Sequence, residues 1–72
     1  MRERGCIKTF RSEGYGFIAP AHGGADVFFH VNRCSGIAER DIVPGIAVEY
    51  TRVPDSKRDG LYRAIDVVGM PG

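Results

Sequence analysis

Apolar and polar residues alternate at every second position in several short stretches of this chain. The alternation is clearest over residues 46–53, where Ile46, Val48 and Tyr50 fall on one face and smaller or polar residues on the other. Comparable patterns over residues 5–10, 15–19, 26–31 and 61–68 predict further strands. In the last of these we expect Ile65 and Val67 to point inward.

Turn residues separate the predicted strands. A polar segment ends at Gly14, a glycine-rich loop spans 21–25, Pro44-Gly45 forms a tight turn, and a charged loop spans 54–60. Between Asn32 and Val43 the alternation is lost, and Asn32 is placed to cap one 3₁₀ or helical turn over residues 33–35, which Gly36 ends. This order predicts an all-β fold, a five-stranded antiparallel Greek-key barrel of the OB type.

The length of 72 residues allows one domain, spanning 1–72, with residues 1–4 and 69–72 expected to be flexible ends. The two cysteines form no CxxC pair and complete no zinc-ligand spacing with a histidine, so we predict neither a disulfide nor a metal or other cofactor. We expect Cys6 and Cys34 to be small buried hydrophobic residues. Free thiols, with no signal-like or membrane-spanning apolar run, favour a cytoplasmic protein that does not associate with membranes.

The charge balance excludes one way of binding nucleic acid. Ten Lys and Arg oppose nine Asp and Glu, a formal charge of +1, so charge alone cannot coat a polyanion with this chain. The chain also lacks a nucleophile signature, an acidic metal cluster and a glycine-rich phosphate loop before a helix. We therefore predict that it is not an enzyme.

Aromatic residues are concentrated near the start of the chain, where five of the seven lie within the first 29 positions. Strand alternation places Tyr15 and Phe17 on one face of the second predicted strand, and Phe28 and His30 on one face of the third. The more apolar residues between them, such as Phe29, would face the core. The four outer rings then form an aromatic platform, Tyr15, Phe17, Phe28 and His30, on which bases can stack.

The alternative is that these rings only pack a core. For Phe17 and Phe28 that would bury both faces of both strands, which needs a second layer that 72 residues cannot supply. His30 is either a structural histidine or a residue that stacks on a base or bonds to its edge. Its place on the Phe28 face favours binding.

Two segments resemble the ribonucleoprotein motifs of the bacterial cold-shock domain: Gly14-Tyr15-Gly16-Phe17-Ile18 and Val27-Phe28-Phe29-His30. The flanking segments 5–10, Pro20, Asp26, Pro44-Gly45 and 64–67 follow the family's order and spacing. The resemblance implies an OB barrel that binds single-stranded RNA and DNA on the outer face of its first three strands. By the same resemblance, the binding residues are Lys8, Phe10, Tyr15, Phe17, Phe28 and His30.

The chain departs from this family at four positions. Thr9, Glu13, Val31 and Glu39 stand where the family has a Trp, a Lys, a Phe and a further aromatic residue. Losing two or three stacking contacts of about 1 kcal/mol each predicts binding tens-fold weaker than that of a typical member. Arg11 lies near the platform, and stacking or phosphate contact by its guanidinium would offset part of this loss.

Basic residues around the last predicted turn have two interpretations. Lys57 and Arg58, with Arg52 and Arg63, form either a basic edge beside the platform or a solvated loop that its own aspartates neutralise. We include Arg58 among the predicted binding residues.

Two functional hypotheses follow. The first is a protein of low sequence specificity that binds single-stranded RNA and DNA, and acts as an RNA chaperone or regulator of transcription or translation by trapping unpaired strands. The second is a protein-interaction module whose nucleic-acid face has decayed at Thr9, Val31 and Glu39. We expect a monomer, with dimerisation by strand exchange left open.

Overall fold

The computed structural model describes residues 2–57 and 61–70, whose regular structure consists of strands and 3₁₀ turns. The strands, in chain order, are β1 Arg2–Phe10, β2 Tyr15–Pro20, β3 Val27–His30, β4 Cys34–Gly36, β5 Ala47–Pro54 and β6 Tyr62–Gly69. The connection between β3 and β5 holds β4 and two 3₁₀ turns, Val31–Arg33 and Glu39–Asp41. A 3₁₀ turn is therefore present in this connection, but it covers Val31–Arg33 rather than the predicted residues 33–35, because β4 begins at Cys34. A second turn lies beyond β4.

Five of the strands close into a barrel in the order β3-β2-β1-β5-β6, and each neighbouring pair in this order is antiparallel. A parallel contact between β3 and β6, at Phe28 and Arg63, completes the ring. The short β4 pairs with β6 in parallel. The predicted all-β, five-stranded barrel is confirmed, and the structure adds a parallel closing contact.

The core fills the barrel with the inward-facing residues of its five strands and one residue of the long connection. Its fully buried members are Ile7, Ile18, Val27, Phe29, Ile42, Val48, Tyr50, Ala64 and Val67. The predicted inward face of β5 is confirmed for Val48 and Tyr50, while Ile46, just before the strand, packs against the core from its edge. Since the core uses only the inward-facing residues of each main strand, the outward-facing residues are not needed to fill the barrel.

The inward face of β6 differs from the prediction. Ala64 and Val67 are buried, whereas Ile65 is only partly buried, so the expectation that Ile65 points into the core is wrong. The register of β6 against β5 shifts beside Asp66, whose φ is 52°. This irregularity inserts one residue into the alternation and moves the preceding inward position from Ile65 to Ala64.

Near both ends of the described chain, residues expected to be flexible take part in β1 and β6, and their flexibility stays a prediction. Arg2 begins β1, and its Nε lies 3.0 Å from a carboxylate oxygen of Glu49 on β5. Gly69 ends β6, and the Met70 N–H donates to the carbonyl of Ala47 at 3.0 Å. Strand pairing thus extends into these segments, while residues 1, 71 and 72 lie outside the described residues.

Two further local predictions are wrong. Cys6 is exposed, because Ile7 and the glycine before Cys6 take the inward positions of β1, and only Cys34 is partly buried. Burial raises the pKa of the Cys34 thiol above its usual value. Asn32 lies inside the first 3₁₀ turn rather than capping it, and the cap is His30, whose ring accepts the Asn32 N–H.

Candidate nucleic-acid interface

The four residues of the aromatic platform share one outer face of β2 and β3. In the antiparallel register Tyr15 pairs with His30, and Phe17 pairs with Phe28. The Tyr15 and Phe28 rings stack with centroids 5.8 Å apart and planes at 28°, while Phe17 meets Phe28 edge-on at 5.9 Å. The predicted shared face is therefore confirmed, with Phe28 at its centre. Its role in binding remains a prediction.

Two glycines bring these strands into position. A Cβ on Gly16 would collide with the Thr9 carbonyl and lie 2.9 Å from the Phe29 ring, so glycine is what allows β1 and β2 to approach this closely. Gly14 has a φ of 98°, and its N–H donates to the Arg11 carbonyl at 2.9 Å. This tight turn between β1 and β2 therefore allows Tyr15, the first residue of β2, to lie on the outer face.

The His30 ring is held by the 3₁₀ turn that follows β3. Its Nδ1 accepts the Asn32 N–H at 3.1 Å, which in a neutral ring leaves the proton on Nε2. The Val31 N–H donates to the Gly14 carbonyl at 2.8 Å and ties this turn to the β1–β2 turn. His30 therefore has the structural role considered for it, and that role fixes a polar ring at the edge of the platform.

The predicted binding residues that precede the platform are dispersed. Phe10 is partly buried and stacks on the core residue Phe29 at 5.9 Å with planes at 11°, so it lies at the core edge. Lys8 is exposed at a bulge in β1, with its Nζ 3.0 Å from an Asp26 carboxylate oxygen. Arg11 is exposed in the turn, 4.0 Å from a glutamate there. Exposed pairs of this kind contribute at most about 1 kcal/mol, so both cations are available to a phosphate.

An open groove of about 300 Å³ continues the platform across the barrel closure. This basic groove is lined by Phe28, His30, Asp55, Ser56, Lys57 and Arg63. Lys57 and Arg63 therefore favour the interpretation of a basic edge beside the platform. Arg52 does not take part, because its guanidinium lies 5.3 Å above the Tyr62 ring and 3.0 Å from a β1 carboxylate. Arg58, also predicted to bind, lies outside the described residues.

A larger groove of about 550 Å³ lies elsewhere, between β4, the second 3₁₀ turn and the end of β6. It shares no lining residue with the basic groove, and its walls include Ile37, Val43, Ile46 and Met70.

Within residues 2–57 and 61–70, no group of three or more His, Cys, Asp or Glu is placed to hold a metal ion. No helix in these ranges has the length and apolar character that a membrane crossing requires.

A closed five-stranded barrel with aromatic rings gathered on its outer face defines a class of nucleic-acid-binding barrels. Within this class, the chain belongs to the cold-shock domain family, since the family model described as "'Cold-shock' DNA-binding domain" matches residues 3–70. This family consists of non-enzymatic proteins that generally bind single-stranded nucleic acid.

Relatives occur in plants, mammals and bacteria, so the resemblance is not restricted to bacterial proteins. Glycine-rich protein 2 of Nicotiana sylvestris is 36% identical over 73 residues, which cover 100% of this chain and 33% of that protein. Cold shock domain-containing protein C2 of Rattus norvegicus is 38% identical over 66 residues, 90% of this chain and 42% of that protein. Cold shock protein CspA of Rhizobium meliloti is 41% identical over 54 residues, 74% of this chain and 78% of that protein. The chain thus spans less than half the length of the first two.

A solved structure described as "drosophila Unr CSD456" superposes with a TM-score of 0.79 and 27% sequence identity. The match covers 99% of this chain and 27% of that one. The structural likeness supports the OB type of barrel that the strand order predicts.

Proposed function

We propose that this chain binds single-stranded nucleic acid on the aromatic platform, with low sequence specificity. The observation that carries the proposal is the contact of Phe28 with both Tyr15 and Phe17 on an outer face, where packing of the core does not require rings. Every base has a π-face, and each stack on an aromatic side chain contributes about 1–3 kcal/mol without reading the sequence.

The structure also supports weaker binding than is typical of the family. Thr9 is exposed and pairs with Phe17, so a position beside the platform carries no ring. Val31 packs against the core, and Glu39 lies exposed in the second 3₁₀ turn. The platform therefore ends at His30 rather than continuing into the long connection.

We further propose that binding acts on RNA by mass action. A protein that binds only unpaired strands lowers their free energy and opens weak base pairing without ATP, as an RNA chaperone or a regulator of transcription or translation does. We propose a monomer, and a cytoplasmic location in keeping with the two free cysteines.

The proposal is tested by titrating the chain with oligo-dT and oligo-U, and with a duplex of matched length, at low salt. We expect the amide signals of the platform residues and the tyrosine fluorescence to change with the single strands. The double variant Phe17→Ala, Phe28→Ala should abolish binding, because it removes the rings and leaves the core intact. Tyr62→Ala is the matched control, since this ring is 45% exposed on β6 and contacts Arg52 rather than a ring of the platform.

Unchanged spectra with single strands would contradict the proposal. In that case, capture of a protein partner that survives nuclease treatment and is lost in the same double variant would favour the interaction module instead.

A further inference from the structure

The parallel contact that closes the barrel brings a cation next to the centre of the platform. Arg63 on β6 pairs with Phe28 on β3. Because the following residue, Ala64, is buried in the core, the Arg63 side chain points outward. There it lines the basic groove with Phe28, His30 and Lys57.

Arg33, Arg40 and Arg63 have no ion pair among the described residues, and in this Arg63 differs from the four described arginines that lie near an acidic residue. Those arginines each have a carboxylate oxygen within 4.0 Å, and they are Arg2, Arg4, Arg11 and Arg52. Among the described residues Arg63 has no such ion pair, and its Nε is buried without a hydrogen-bond acceptor. A buried donor left unsatisfied is costly, so a shift of the Arg63 side chain that brought its Nε to an anionic acceptor in the groove would be favourable.

We propose that Arg63, together with Lys57, binds one backbone phosphate of the bound strand. The planar guanidinium fork matches two phosphate oxygens, and the Lys57 ammonium adds a point charge beside it. This inference rests on the proposed function, because the groove shares Phe28 and His30 with the platform. A base stacked on Phe28 carries its sugar and phosphate alongside the ring, toward Arg63.

One carboxylate in the groove limits the site. Asp55 lines the same groove, and its Oδ1 accepts the Lys57 backbone N–H at 2.9 Å. The negative charge repels additional phosphates and the hydrogen bond shapes the start of the β5–β6 connection. The basic groove therefore binds a single phosphate rather than a continuous stretch of backbone.

The test is the salt dependence of the affinity for a short oligo-dT, compared between the unchanged chain, Arg63→Gln and Arg40→Gln. Each phosphate neutralised on a single strand contributes about 0.7 to the slope of log affinity on log salt. The double variant Arg63→Gln, Lys57→Gln removes both cations from this phosphate and should flatten the slope by about 0.7, and Arg63→Gln alone should flatten it by part of that amount. For the double variant, the ratio of its affinity to that of the unchanged chain should then be about fivefold smaller at 0.1 M salt than at 1 M. Arg40→Gln, in the larger groove, should leave the slope unchanged.

Two further variants sharpen the result. Arg63→Lys keeps the charge and loses the fork, so it should keep the slope and lose affinity. Lys57→Gln changes an exposed residue outside the strands and should also flatten the slope, which keeps the test independent of any effect of residue 63 on folding.

The outcomes separate this inference from the function on which it rests. If Phe17→Ala, Phe28→Ala abolishes binding but Arg63→Gln and Lys57→Gln keep the full slope, the phosphate site is wrong and the platform stands. If the unchanged chain does not bind single strands at all, the platform proposal fails and the phosphate site fails with it.

Discussion

At the scale of single residues, Phe28 connects the two parts of the interface. Its ring contacts Tyr15 and Phe17, and its side chain also lines the basic groove. A base stacked there would be held between the platform and Arg63. Contacts made by neighbouring rings are not independent, so removing the central one disturbs the others as well.

We therefore predict that Phe28→Ala weakens binding of oligo-dT more than Tyr15→Ala does. The loss for Phe28→Ala should reach about 1–3 kcal/mol, roughly 5- to 150-fold in affinity, because a stack is lost and the remaining rings are no longer packed. Fluorescence anisotropy with a labelled oligonucleotide measures both dissociation constants. Equal losses for the two variants would contradict a central role for Phe28.

Tyr50 places a hydroxyl inside the core. The residue is fully buried, and burial raises its pKa above the usual value, while the nearby Arg52 opposes this shift only in part. Within the described part of the chain, its hydroxyl makes no hydrogen bond of good geometry. The neutral phenol is thus favoured in the folded chain more than in the unfolded one.

This shift makes stability depend on pH at the alkaline end. Since the folded pKa lies above the unfolded value of about 10, the contribution of Tyr50 is complete below pH 10 and is lost as the pH rises toward the folded pKa. Tyr50→Phe should therefore change stability at pH 7 by less than about 1 kcal/mol and make unfolding less sensitive to pH above 10. Urea unfolding across this range measures the effect. Tyr62→Phe, which alters an exposed ring, should keep the alkaline loss of the unchanged chain.

At the scale of strands, regular alternation was enough to predict the shared outer face of the aromatic platform. Burial alternates without interruption over residues 15–20 and 27–30, and the outer face that the sequence predicts for these strands is the one observed. The β6 strand could not be assigned in this way, because its irregularity at Asp66 depends on pairing with β5. Likewise, Arg63 lies beside Phe28 because the barrel closes between β3 and β6. The two residues are 35 positions apart in the chain, so no local sequence pattern predicts their contact.

The close pairing of β1 with β2 leads us to predict that Gly16 cannot be replaced without loss of stability. Gly16→Ala should destabilise the fold by about 2–4 kcal/mol, because the new methyl group collides with the Thr9 carbonyl and the Phe29 ring in a packed region. Gly69→Ala is the matched control on β6, where a Cβ would meet Ile37 at an ordinary 3.6 Å. Thermal unfolding compares the two, and equal midpoints would show that β1 and β2 can separate at no cost.

At the scale of the whole molecule, the net charge is near zero because basic and acidic side chains are almost equal in number, but they are not evenly paired over the surface. Basic side chains on β1 and β5 are paired with neighbouring carboxylates, whereas Arg63 on the platform side has no ion pair among residues 2–57 and 61–70. Net charge therefore underestimates the positive potential that a strand meets at the basic groove.

Because the interface spans three strands of the closed barrel, ligand binding should stabilise the entire fold. A single-stranded oligonucleotide at 100 times its dissociation constant should add about 2.7 kcal/mol to the free energy of unfolding, and raise the midpoint temperature by roughly 10 °C or more. Differential scanning fluorimetry or calorimetry measures this shift. The Phe17→Ala, Phe28→Ala variant should show none, and a duplex of the same length should act far less strongly than the single strand.

The parallel contact between Phe28 and Arg63 also has a kinetic consequence. The first three strands form from neighbouring segments, but the exposed edge of β3 is covered only when β6, the last strand, reaches it. Loop closure over such a distance is slow compared with hairpin formation. During synthesis on the ribosome, the rings of the platform would thus emerge first on an open sheet with an unpaired edge, and the competent binding surface would exist only once the chain is translated through β6.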